Sequence, residues 1–102
     1  MASSGLRIQY RRTGGFAGIE MTADVGTDEL AEAEAGIAAR LMADPASGAP
    51  TAATPPGAAD LFDYRLQLTE GDRKQSFEWS DFGVPDAVRP LLSALNRLAK
   101  PR

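Results

Sequence analysis

The sequence predicts an α+β fold: two β-hairpins forming a four-stranded antiparallel sheet, with two helices packed on one face, in the order ββαββα. Three observations carry this expectation. Apolar and polar residues alternate with period two in four short segments. Glycine-containing turn signals separate those segments pairwise, at Thr13-Gly14-Gly15 and at Glu70-Gly71-Asp72. An apolar stripe at helical spacing follows each pair.

Leu6, Ile8 and Tyr10 alternate with Arg7, Gln9 and Arg11, which marks a half-buried strand. Thr13-Gly14-Gly15 breaks the pattern, and adjacent glycines accept the positive φ of a tight hairpin. A second strand is expected from Phe16 to about Asp24, with Ile19, Met21 and Ala23 on one face and Gly18 as a bulge or a point of close backbone approach. Thr27 is placed to cap the first helix, with Asp28 and Glu29 in its first turn. Leu30, Ile37, Ala38 and Leu41 supply its stripe, and it should stop before Pro45. From about 43 to 60 the chain is Ala, Pro, Gly, Ser and Thr, with no large apolar residue, and it reads as a flexible surface loop.

Phe62, Tyr64, Leu66 and Leu68 alternate with polar residues, and Gln75, Phe77 and Trp79 do so on the return strand. Val88, Leu91, Leu92, Leu95 and Leu98 then form a strong amphipathic helix. Pro85 suits its first position. Pro90 leaves two arrangements open: Pro85 to Arg89 is a separate turn, or Pro90 lies within the first turn, where a missing N–H costs little.

A chain of 102 residues is one domain, 1–102, able to bury a core without staples. It contains neither Cys nor His. That removes disulfides, thiol chemistry, the usual zinc ligands and every triad built on those side chains. The net charge of -3 hides an asymmetry: Arg7, Arg11 and Arg12 are basic, Glu20 to Glu34 purely acidic, and every charge after Asp86 positive. An acidic protein is not expected to bind nucleic acid. No run is long enough to span a bilayer, and the N-terminus does not read as a secretory signal, so a cytoplasmic protein is expected. A monomer without a cofactor is expected as well.

Asp81-Phe82-Gly83 matches a kinase tripeptide by coincidence and reads as the turn into the last helix. Asp60, Asp63 and the acids from Glu20 to Glu34 match no calcium-loop spacing and read as solvated charge. Phe62, Tyr64, Phe77 and Trp79 could stack nucleobases, but they lie on the face the helices need. Gly14, Gly15, Phe16, Ala17 and Gly18 admit two readings. Either the glycines only make a turn, or they present a slim ridge with one aromatic to a partner.

That hairpin, followed by Val84-Pro85-Asp86-Ala87-Val88-Arg89-Pro90-Leu91-Leu92, resembles the emfourin family over most of the chain. The resemblance implies an inhibitor of thermolysin-like zinc metallopeptidases such as protealysin, hence no enzyme, with partner-binding residues expected at Gly14–Gly18. That site rests on the glycine hairpin's own sequence rather than on the family's motifs. The long Ala/Pro segment departs from the pattern. The alternative is a non-catalytic protein-interaction module using its sheet face or edge strand. A small carboxylate enzyme is a third option.

Overall fold

The computed structural model describes residues 6–14, 19–49, 62–81 and 83–101. Strands β1 (Leu6–Gly14), β2 (Met21–Gly26), β3 (Phe62–Glu70), β4 (Arg73–Ser80) and β5 (Lys100–Pro101) form one antiparallel sheet in the order β4-β3-β1-β2-β5. Helices α1 (Glu32–Ala43) and α2 (Arg89–Leu98) complete the α+β fold.

The sheet has five strands rather than the four expected from the sequence. Lys100 and Pro101 add a short edge strand against Thr22 and Met21. Two residues carry no period, so only the return of the chain after α2 reveals this strand.

Strand parity sets the two faces. Leu6, Ile8, Tyr10, Ala23, Val25, Leu66, Leu68, Phe77 and Trp79 are all buried and belong to one cluster. Register aligns them across the sheet, with Ile8 between Val25 and Leu68, and Leu66 between Tyr10 and Phe77. Ala38, Leu41 and Met42 from α1, and Leu91, Leu92 and Leu95 from α2, join the same cluster. Both helices therefore cover one face, as expected, and the alternate residues leave the other face polar.

Element boundaries differ from expectation where tertiary pairing intervenes. β1 runs on through Thr13 and Gly14, because Asp63 and Phe62 of β3 pair with them. Gly14 adopts φ 100, a conformation a side chain would strain. β2 begins at Met21 rather than Phe16, and Ile19 is exposed instead of sharing the face of Ala23. Gly18, the expected bulge, lies outside the described residues.

Thr27 does not cap α1. Thr27–Glu29 form a single 3-10 turn in which the Gly26 N–H donates to the Glu29 carboxylate at 3.0 Å. The chain then extends through Leu30, which packs against the core, and α1 starts at Glu32 with Glu32 and Glu34 in its first turn. Burial of Leu30 outweighs the local cap. The helix ends at Ala43, ahead of Pro45, and Arg73 Nη2 donates to the Met42 carbonyl at 3.2 Å, satisfying one terminal acceptor. Both arrangements open for Pro90 occur together: Asp86–Val88 form a separate 3-10 turn, and Pro90 sits in the first turn of α2.

The start of the expected loop is packed. Pro45–Gly48 form a 3-10 turn whose Gly48 is buried, and its carbonyl accepts from Trp79 Nε1 at 2.7 Å. A small residue at this point lets the backbone reach an indole that must bond when buried. Residues 50–61 lie outside the described residues.

Two glycine substitutions should have opposite signs. A Cβ at Gly48 would meet Phe77 Cε2 at 2.7 Å and Leu41 Cδ2 at 2.8 Å. Gly48→Ala is expected to cost about 1–3 kcal/mol by overpacking. A Cβ at Gly36 meets nothing within 4 Å on an exposed helix position, so Gly36→Ala should stabilise by about 0.5–1 kcal/mol. Urea unfolding of the two variants checks both.

Candidate functional site

The end of the sheet that carries Gly14 is the first candidate. Here β1 and β3 continue beyond the start of β2: Arg12 still pairs with Met21, while among the described residues Thr13 and Gly14 pair only with Asp63 and Phe62. Gly14 is half-buried at this margin. Gly15, Phe16, Ala17 and Gly18, the other residues expected to meet a partner, lie outside the described residues. Ile19, on the far side of them, is 55% exposed, a large apolar side chain presented to solvent beside the segment.

A polar and aromatic cluster fixes the base of this hairpin. The Tyr10 and Tyr64 rings stack with centroids 6.5 Å apart, and Phe62 lies 6.4 Å from Tyr64. The Arg12 guanidinium sits 4.6 Å from the Phe62 ring centroid, within cation–π range. Arg12 Nε is buried and has no hydrogen-bond partner among the described residues. The Asp81 carboxylate ties the strand ends together, accepting from Tyr64 Oη at 2.6 Å and from the Phe62 N–H at 3.0 Å. The Asp81 carbonyl accepts from Arg89 Nη2 at 3.3 Å, so the same residue also links the sheet to α2. Tyr10 Oη donates to Asn96 Oδ1, a second link to that helix.

These contacts give Asp81 a structural role. It lies in the turn expected before the last helix, with the Gly83 N–H donating to the Ser80 carbonyl at 3.0 Å. Sequence reasoning missed its partners. The half-buried Asn96 beside an otherwise apolar stripe was one readable signal; the Asp81 pairing had none, because Phe62 and Tyr64 lie far from it along the chain.

Burial pushes the Tyr10 phenol up to about 12, against smaller opposing effects of Arg12 and Asn96. Burial also raises Tyr64, reinforced by its hydrogen bond to Asp81. Both phenols therefore hold their protons past pH 10, where an ordinary phenol ionises, and the cluster acts as a clamp, with Asp81 as acceptor. Among the described residues, no group of three or more carboxylates could hold a metal ion. Asp60 lies outside the described residues, and Asp63 is exposed on the open face. Phe77 and Trp79 are buried under the helices, stacked at 5.6 Å, so they offer no stacking platform.

The second candidate is the open face of the sheet. A depression of about 560 Å³ lies there, lined by Gln9, Arg11, Thr22, Arg65, Gln67 and Lys100, with Asp24 at its side. Arg7 Nε donates to Asp24 at 2.7 Å, and Arg11 Nε to Glu20 at the same distance.

The family model for emfourins matches residues 10–96. No curated protein and no solved structure matches the chain. No described helix is long and apolar enough to cross a membrane.

The raised phenols fix the sign of an alkaline effect. Above pH 10, the ordinary phenol value, the unfolded chain releases protons that the folded chain retains, so stability falls as pH rises. It should be intact below that value and decline through about pH 12, where Tyr10 ionises in the folded state. The chain has two tyrosines, and ultraviolet phenolate absorbance should show no step near pH 10. A full tyrosine titrating there would contradict the clamp.

Proposed function

This chain belongs to the emfourin family, and on that premise we propose that it is a proteinaceous inhibitor of a thermolysin-like, protealysin-like zinc metallopeptidase. It blocks the active-site cleft through the hairpin at Gly14, Gly15, Phe16, Ala17 and Gly18. The family match over residues 10–96 carries this reading, because it includes both the hairpin and the entry to α2.

With neither His nor Cys, the chain has no imidazole or thiolate to place on the enzyme's zinc. A carboxylate or backbone carbonyl on the metal, a loop in the substrate cleft, or a lid over the entrance remain as routes. Thermolysin-like enzymes are implied to accept a bulky apolar residue just after the scissile bond, and Phe16 meets that preference. The clamp supports the reading in a physical way. Tight inhibition depends on a preorganised surface. Asp81, Tyr64 and the Arg12–Phe62 contact hold the hairpin's base in one geometry before any partner arrives. The protein acts as a monomer, without catalysis and without a cofactor.

The test is peptide hydrolysis by several thermolysin-like enzymes with micromolar inhibitor present. Inhibition without consumption of the inhibitor is expected, and no loss of activity across the set would leave the interaction-module alternative. Phe16→Ala should weaken inhibition by about 2 kcal/mol or more, with an unchanged urea midpoint, if Phe16 is a buried interface anchor. A stability loss of roughly 3–5 kcal/mol would make Phe16 a core residue instead. Unchanged inhibition with an intact fold would move the contact to the turn at Glu70–Asp72.

A further inference from the structure

We propose that the open face of the sheet carries a binding site for a small, multiply charged oxyanion of phosphate or carboxylate type, separate from the hairpin. The site is the depression between Arg11, Arg65 and Lys100.

The argument begins with a cost. One row across the sheet reads Lys100, Thr22, Arg11, Arg65, Glu78 from edge to edge. Arg11 and Arg65 are direct cross-strand partners on the two central strands. Like charges directly opposite destabilise a sheet. The core does not demand them, since this face meets water and any polar residue would serve. Nor does composition demand them: the chain is acidic overall, with net charge -3, yet three cations line this one depression.

Their acidic neighbours do not close the site. Asp24, the one acid lining the depression, is bonded to Arg7. Glu20 engages the Arg11 Nε at 2.7 Å, leaving further guanidinium donors of Arg11. The Arg65–Glu78 contact is loose, 3.4 Å between side chains that are 58% and 71% exposed. Such surface pairs exchange easily for a better partner. Lys100 has no ion pair among the described residues.

The donors suit one ligand chemistry. Guanidinium forks bind phosphate and carboxylate oxygens bidentately, and Lys adds a point charge. The Gln9 and Gln67 side chains, also cross-strand partners, and the Thr22 hydroxyl supply neutral hydrogen bonds beside them. All but Lys100 stand on β1, β2 and β3 at positions paired on both sides, which fixes their spacing. The site also accounts for β5. A two-residue strand adds little pairing, but it delivers Lys100 to the rim of the depression.

The test is calorimetric and NMR titration of the whole protein with pyrophosphate and with citrate, at ionic strength held constant with sodium chloride. Saturable binding of at least one anion is expected, with shifts centred on Gln9, Arg11, Thr22 and Arg65. Pyrophosphate binding alone assigns phosphoryl chemistry, and binding of both assigns a general oxyanion site. Arg65→Gln should weaken binding by about tenfold or more, as loss of a charge-assisted pair does. The same variant should raise the melting temperature of the ligand-free protein, because it removes the opposed charges. Arg65→Lys keeps the charge without the fork and should bind with intermediate affinity. Lys74→Gln, on the same face outside the depression, should bind as the parent does. The proposal is overturned if neither anion binds beyond the chloride background. It also falls if Arg65→Gln binds as well as the parent, or if Lys74→Gln loses as much as Arg65→Gln. Peptidase inhibition should be unaffected by Arg65→Gln, so failure here leaves the hairpin reading standing.

Discussion

Everything in this molecule depends on the pairing of β1 with β3. Nine residues of β1 face nine of β3 in unbroken antiparallel register, from Leu6 opposite Glu70 to Gly14 opposite Phe62. The two hairpins are local and could each form alone, but an isolated hairpin is at best marginally stable. Joining them through their first strands makes one sheet wide enough to bury the stripes of two helices. The pairing is also long in sequence, so its loop-closure entropy must be offset by burial. Ile8, Leu66 and Leu68, all fully buried across that seam, supply the burial.

The same seam generates both candidate sites. On the helix-covered face it sets Tyr10 beside Tyr64 and Arg12 beside Phe62, and Asp81 then locks the end of the sheet to α2. On the open face it sets Arg11 against Arg65 and Gln9 against Gln67. A single register therefore fixes the hairpin's base and the spacing of the cationic groove. Because side chains alternate, a one-residue slip would exchange the two faces. The buried apolar row forbids that slip, and so the core enforces the geometry of residues that contribute nothing to it.

The two sites differ in how they relate to stability. The clamp at the hairpin's base is stabilising: stacked rings, a carboxylate with two donors, and phenols that burial keeps neutral. Among the described residues the buried Arg12 Nε has no hydrogen-bond partner, while its guanidinium gains the Phe62 contact. The groove is the reverse, an arrangement that local electrostatics disfavours and that surface ion pairs only soften. Within a sheet built for stability, such a departure marks residues kept for a ligand.

Much of this was legible in the sequence, for a physical reason. Period-two alternation around Ile8, Leu66 and Phe77, and the stripe from Val88 to Leu95, report which side of each element meets water. That pattern determined the α+β class, the hairpin pairs and the helix-covered face. The halt before Pro45 and the turn at Gly71 were likewise local steric facts. Tertiary structure decided what depends on non-local contact. It extended β1 through Gly14, because β3 was there to pair with it. It moved the start of α1 past Thr27, because Leu30 had a core to enter. It packed Gly48 under Trp79 and added β5 at the edge. The opposition of Arg11 and Arg65 belongs to the same class. Neither arginine makes a site within its own strand, and only the register that brings them together across the chain does so.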